Sequence, residues 1–357
     1  MSGMSPIERI LRAMRRQKPD RVPREAVFTI PVEEEFRLRT YVSDYETYFG
    51  MDRRTVQFRR PHLAADFSTY LKDRNFPDGA FTDEWGNLVV PGFKYRTTEY
   101  IYPMRDLKTA TELKAYPFPD FHQEQCHAHL EAEVKSLHER DLAATGSLWG
   151  TFFERTWHMR GMDRLFMDFY DNPEFATALL DRMLEIRTFQ AVRYAEAGVD
   201  ILHTGDDLGM QHTLIMSVAM WRMWIKPRLA KVIQAARQVK PDLLVEYHTD
   251  GFVIPFIPDL IEIGINVLNP VQPESMDPAE IKHKFGDYLA FSGTIGNQST
   301  MPFGTPDEVR RVVAERIATV GRGGGLILAP SHMVEPDVPW ENIMAFFEAA
   351  EEYGYTS

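Results

Sequence analysis

From residue 140 onward the chain alternates short apolar runs with amphipathic helical segments, and this alternation limits the fold more than any other feature. The apolar runs are 143–149, 199–204, 243–248, 265–269, 288–293 and 325–330. Helical spacing follows near 161–170, 173–197, 217–239, 255–263, 277–285, 305–320 and 339–353. A helix of this length carries the chain back to the end of the sheet where the previous strand began, so the strands run parallel. With a first strand over 25–30, seven strands are visible. An eighth is expected in the irregular region before residue 140, or else the closure is atypical. The fold class this predicts is α/β, a (β/α)8 TIM-like barrel. An open doubly wound sheet should carry an early Gly-rich phosphate turn, whereas the GRGGG run at 321–325 precedes a strand.

Before the repeats, residues 5–17 place Ile7, Ile10, Leu11 and Met14 at helical spacing, with Ser5 and Glu8 arranged as a capping box. Pro19 and Pro23 stop that helix. The stretch from about 31 to 140 is irregular and aromatic, with a hairpin expected around 83–87 and a charged helix over 123–140. It is too long for a simple loop and predicts a lid or side layer. The whole 1–357 is therefore expected to be one barrel domain, with 1–140 as its elaborated N-terminal region and 141–357 as its regular repeats.

Forty Lys and Arg against 52 Asp and Glu give a net charge of −12. That field argues against nucleic acid or an anionic membrane as partner. No run reaches the roughly 18 apolar residues of a membrane span, and the N-terminus has no signal-peptide core. The lone cysteine, Cys126, excludes an intramolecular disulfide and every all-thiolate metal site. A cytoplasmic protein, plausibly a homodimer, is the expectation.

In a parallel barrel, chemistry sits at the C-terminal strand ends. The polar residues that fall there are His203, Asp206 and Asp207; His248 and Asp250; Asn269 and Gln272; Ser292 and Thr294; and His332. His248 and Asp250, two apart in extended chain, project to one side and can grip one ion, with His332 converging from another strand. Two imidazoles and a carboxylate suit zinc with an open position, or iron or manganese. The alternative is an ordinary hydrogen-bonded loop pair and a His that merely ends a strand. Asp206 and Asp207 are adjacent carboxylates suited to catalytic proton handling, or else to capping a helix. Gln211 and His212 are near enough to line the same cavity. Glu154 and His158 share a helical face as a pocket wall, unless they belong to an internal ion network. The grouping of His122, Cys126, His127 and His129 mimics a metal box but lacks a strand-end context.

From about residue 150 to 353 the chain resembles the uroporphyrinogen decarboxylase-like superfamily, particularly its branch near the methylcobamide:thiol (coenzyme M) methyltransferases. The resemblance is carried by WHMRGM (157–162), GDDLGMQ (205–211), IKPRL (225–229), HTDG (248–251), PDLIEIG (258–264), NPVQP (269–273) and GGGLILAP (323–330). It implies a (β/α)8 barrel with its site in the C-terminal mouth. Authentic decarboxylases carry an Arg-rich N-terminal segment for substrate carboxylates. Here that region reads REAVFTIPVEEE (24–35), whose acidic triad would repel an octacarboxylate. In the methyltransferase branch a His-x-Cys pair and a distant Cys hold zinc, and these positions fall on His248, Asp250 and His332. The softer thiolates are thus replaced by harder ligands, which implies a stronger Lewis acid. The resemblance implies a metal-dependent methyl or alkyl transferase that uses a corrinoid protein or folate as acceptor. The alternatives are a decarboxylase acting on a smaller acid and a non-catalytic corrinoid- or tetrapyrrole-binding protein.

Overall fold

The computed structural model describes residues 3–61, 65–72, 79–90 and 99–354. Ten strands are present among them: β1 (Arg53–Val56), β2 (Phe81–Thr82), β3 (Leu88–Val90), β4 (Glu99–Ile101), β5 (Ala143–Leu148), β6 (Ile201–Gly205), β7 (Leu244–His248), β8 (Val267–Asn269), β9 (Ala290–Ser292) and β10 (Leu326–Ile327). Seven of them form one parallel sheet in the order β1-β5-β6-β7-β8-β9-β10. The sheet curls into a barrel of the TIM type. β2, β3 and β4 form a separate antiparallel sheet, whose first turn is the hairpin expected at 83–87.

The expected first strand is a correction. Residues 24–28 make only isolated parallel bridges, Arg24 to Leu328 and Phe28 to Val334, and Ile30 already opens a helix, Ile30–Thr40. Pro31 sits in the first helical turn, where its fixed φ favours a helix start and its missing N–H costs nothing. The strand hidden in the irregular region is β1, whose RRTV sequence reads as polar. Arg53 is nonetheless half-buried inside the curl, paired with Glu246 at 2.8 Å and with Glu25 at 2.6 Å. This ion pairing joins the 24–28 segment to β1 and closes the curl where backbone bridges are absent.

Helix Pro173–Ala197 has the expected limits. The segment expected as one helix over 217–239 is two, Val218–Trp224 and Lys226–Val239, because Pro227 starts a new helix instead of continuing the old one. Likewise 123–140 is a 3-10 turn, Glu124–Cys126, followed by helix Leu130–His138.

Inward-facing residues stack in layers. Ala143, Ile201, Leu244, Val267, Ala290 and Ile327 form an apolar floor, plugged by Ile10 and Met14 of helix Pro6–Met14. Two residues further along the strands, register sets His203 opposite Glu246, and two further Gly205 opposite His248. The barrel thus passes from an apolar floor through a charged layer to its mouth. No helix among the described residues is long and apolar enough to cross a membrane.

Candidate metal centre

β6 and β7 end side by side, and glycine permits the contact. A Cβ on Gly205 would lie 2.2 Å from the His248 carbonyl oxygen. Beyond the strands their loops stay in backbone contact, with the Asp206 N–H donating to His248 O (3.1 Å) and the Phe252 N–H to Met210 O (2.8 Å). Gly209 and Gly251 press together, since a Cβ on Gly209 would sit 2.5 Å from Asp250 O; Gly251 also has φ +80°. The Asp250 N–H donates to Asp207 Oδ1 at 2.9 Å, which ties the two loops at the acidic residues themselves.

This packing gathers Asp207, His248 and Asp250, with one ligand atom of each within 4.8 Å of the others. His248 Nε2 lies 3.8 Å from Asp207 Oδ1 and 3.9 Å from Asp250 Oδ1. The other Asp250 oxygen is 3.9 Å from His332 Nε2. His248 Nδ1 pairs with Asn269 Oδ1 at 2.7 Å, and Asn269 Nδ2 donates to Ser292 Oγ at 3.1 Å. With its Nδ1 proton on Asn269, His248 presents Nε2 to the two carboxylates, the orienting arrangement that metal-binding histidines use.

The donor set fits a cation. Asp250 Oδ1 is buried and has no hydrogen-bond partner, a costly state for an anion unless a positive charge faces it. Ligand atoms around a tetrahedral ion at about 2.0–2.2 Å lie roughly 3.3–3.6 Å apart, so the imidazole–carboxylate pairs at 3.8–3.9 Å need a few tenths of an ångström of contraction. The surrounding charge points the same way. Burial and the charge of Asp207 push the Asp250 carboxyl up. Burial would lower the His248 imidazole, but Asp250 and Asp207 raise it. Burial, Asp207 and Asp206 push Glu154 up to about 8. Carboxylates outnumber the cations facing them.

The other expected residues divide into groups. Asp206 is fully buried and points away from the cluster: its Oδ1 accepts from the N–H groups of Phe152 and Glu154, both at 2.9 Å, which caps helix Phe153–Arg160. Burial pushes it up to about 7 against those bonds. Asp207, expected as a proton carrier, instead joins the candidate ligands. Glu154 Oε2 accepts from the Asp207 N–H at 3.3 Å. His158 is buried beside Trp157 and Trp149, and burial together with Arg155 lowers it to about 3. His203 Nδ1 pairs with Glu246 Oε2 at 3.0 Å in the charged layer below. Burial would raise Glu246, but Arg53 and His203 hold it well below the usual carboxylate range. Gln272 Oε1 accepts from the Gly251 N–H at 3.1 Å and braces the 250 loop. Gln211 donates to Glu274 O at 2.9 Å, and His212 is exposed. Thr294 is buried at the mouth with an unpaired Oγ1. The 122–129 grouping disperses: His122 packs on Phe189, His127 accepts from Arg193, and His129 pairs with Gln57 O.

Comparison with known proteins bears on the family and the fold. The profile of the uroporphyrinogen decarboxylase (URO-D) family matches residues 92–353. A methylcobamide:CoM methyltransferase, MtaA, of Methanosarcina barkeri is 30% identical over 182 residues, 50% of this chain and 50% of that protein. The match thus spans about half the length of that relative. A uroporphyrinogen decarboxylase of Pseudomonas fluorescens is 22% identical over 289 residues, 74% of this chain and 76% of that one. Among solved structures, a methyltransferase from Methanosarcina mazei superposes with a TM-score of 0.67 at 17% identity, over 98% of this chain and 99% of the other. The two share a fold.

Proposed function

The chain belongs to the uroporphyrinogen decarboxylase (URO-D) family, and from that premise we propose that it is a metal-dependent methyl or small-alkyl transferase of demethylase type. It would take the group from a small methylated compound and pass it to a corrinoid protein or folate. One observation carries this above the others: the Asp250 carboxylate lies 3.9 Å from an imidazole on each side and keeps a buried oxygen without a partner. The similarity to a methylcobamide:CoM methyltransferase supports the choice of reaction.

His248, Asp250 and His332 would hold the ion, with Asp207 as a further ligand. The set suits zinc, and iron or manganese by the same chemistry. A bound ion of this kind supplies a Lewis acid that polarises the donor's oxygen. Asn269 fixes the tautomer and direction of His248. Gln272 braces the loop that carries Asp250. Glu154 holds a proton beside Asp207 and delivers it to the departing oxygen, so that the C–O electron pair stays with oxygen while the methyl group bonds to the acceptor. His158, kept neutral, forms part of the apolar wall. Asp206 holds the helix that carries Glu154 and acts on no substrate atom.

The second reading, a decarboxylase acting on a small acid, is favoured by the match to uroporphyrinogen decarboxylases over 74% of the chain. The acidic triad argues against the porphyrinogen itself less strongly than its sequence suggests, because Glu33 and Glu35 are paired with Arg37 and Arg39. Metal analysis of the purified protein, with His332→Ala and His248→Ala alongside, is the test. Near-stoichiometric zinc, iron or manganese that both substitutions lower is expected, together with methylation of a reduced corrinoid by methylated donors. A protein that stays metal-free after reconstitution refutes the proposal. Carbon dioxide release from small acids would select the lyase, and tight corrinoid binding without turnover the non-catalytic binder.

A further inference from the structure

We propose that Arg155 anchors an anion subsite on the rim of the mouth, which takes the carboxylate of a planar organic ligand whose ring stacks on Trp149. The subsite belongs to the mouth assigned above as the substrate site and depends on that assignment, but not on methyl transfer.

Arg155 lies on helix Phe153–Arg160, directly after β5, and is 8% exposed. A buried guanidinium normally uses its five N–H groups. Arg187, close by, donates to Thr151 O, Trp149 O, Gly150 O and Gln190 Oε1. Arg155 is different. Its one hydrogen bond among the described residues runs from Nη1 to Asp83 Oδ2 at a long 3.4 Å, and its buried Nε has no partner. Nor is Asp83 a dedicated counterion, since its carboxylate already accepts from the N–H groups of Trp85 and Asn87 and from Asn87 Nδ2, at 2.8–2.9 Å.

Aromatic faces and a second cation surround this idle donor. The Arg155 guanidinium lies 5.1 Å from the Trp85 ring centroid and 5.3 Å from that of Trp149, and Arg187 lies 5.3 Å from Trp85. Two arginines sharing one indole repel each other, and burial together with Arg155 lowers Arg187 to about 9. Asp206 and Glu84 act against that shift, but among the described residues neither makes a hydrogen bond to Arg155, so an incoming carboxylate would supply the short pair that Arg155 lacks. Arg matches a carboxylate with two parallel donors, whereas an ion held only by the ring faces gains little direction. Trp85 is 2% exposed and offers no free face, but Trp149 is 47% exposed and does. Arg155 directly follows Glu154, whose Oε2 accepts from the Asp207 N–H at 3.3 Å, so the subsite adjoins the candidate metal centre along the chain.

The test is calorimetric binding to the full chain, treated with chelator and given no methyl acceptor, so neither metal nor turnover enters the result. The probes are 4-methoxybenzoate, its neutral isostere 4-methoxybenzamide, and inorganic phosphate. The acid is expected to bind at least about tenfold tighter than the amide, the factor a charged hydrogen bond supplies. Arg155→Met should abolish that preference, and Trp149→Ala should weaken acid and amide together while keeping it. No binding of the acid at millimolar concentration, equal binding of acid and amide, or phosphate binding as tightly as the acid overturns the inference. The acid and amide comparison on the unaltered protein stands even if Arg155→Met does not fold. Binding of the acid by a protein that transfers no methyl group would refute the reaction and leave the subsite intact.

Discussion

Replacing Asp206 separates a structural role from a chemical one. Its Oδ1 accepts the N–H groups of Phe152 and Glu154 at 2.9 Å each, and Oδ2 takes a second bond from Phe152 at 3.1 Å, all in a fully buried setting. Asp206→Ala orphans both N–H groups. Each costs about 1–3 kcal/mol when buried without a partner, or about 2–6 kcal/mol together. Removing the carboxylate also removes the penalty of burying it, the penalty that pushes Asp206 up to about 7. The net loss should therefore fall near the low end, about 2–3 kcal/mol. Asp206→Asn keeps one oxygen able to accept both 2.9 Å bonds and should cost no more than about 1 kcal/mol. Urea unfolding followed by circular dichroism at constant m-value measures the difference directly. If Ala proves no more destabilising than Asn, the cap is not what holds this helix. If Asn leaves the fold unchanged but abolishes turnover, Asp206 is a chemical group and its assignment here is wrong.

Gly205→Ala drives a Cβ to within 2.2 Å of His248 O; the strands should part by roughly 1 Å at a cost of about 1–3 kcal/mol, lowering both Tm and metal content. Normal metal loading in that variant would show that the β6 to β7 contact does not set the site. Arg160→Met leaves Asp168 buried without its 2.7 Å partner and unties the carbonyl of Leu107; a loss of about 3–5 kcal/mol and faster proteolysis near residues 104–107 are expected. For Asp20, burial opposes ionisation, but Arg9 and the N–H groups of Met4 and Arg21 hold it at about 2 against a usual 3.8. The folded value is the lower one, so its contribution is complete above about pH 4 and disappears as pH falls toward 2. The stability difference between wild type and Asp20→Asn should be flat above that window and shrink within it. Glu154→Gln, which keeps the shape but carries no transferable proton, should lower methyl transfer by about 10²–10⁴-fold with metal content unchanged.

The repeats after residue 140 were legible because each strand lies in a short, mostly apolar run and the helices between them carry their own period. β1 was not, because its arginines look like surface. Only the distant Glu246 and Glu25 make burial of Arg53 tolerable, and no local pattern reports a partner 193 residues away. The strand-end rule pointed to His248, Asp250 and His332; the fold gathers His248 and Asp250 with Asp207, and leaves His332 3.9 Å from the other Asp250 oxygen. It grouped Asp206 with Asp207, although adjacent residues in extended chain face opposite ways. Alternation alone gives that divergence. Which of the two turns toward His248 depends on the start of helix Phe153–Arg160, more than 50 residues earlier. Arg155 was not singled out as a site for a similar reason: Trp85, whose ring it meets, belongs to a hairpin 70 positions away.

Helix Phe153–Arg160 is where these interactions meet. Asp206 fixes its first turn from below, Glu154 leans on the Asp207 N–H, and the next residue meets two indoles. The mouth therefore brings carboxylates and a guanidinium within a single residue step along this helix. Asp250 Oδ1 and Arg155 Nε make no hydrogen bond, although Asp250 lies 3.9 Å from His248 and from His332 and Arg155 lies 3.4 Å from Asp83. Burial makes such weakly held charges costly. The rigid backbone contacts at Gly205, Gly209 and Gly251 hold the carboxylate cluster where it is. On the reading proposed above, a cation on the carboxylates and an anionic ligand at the guanidinium would satisfy both ends.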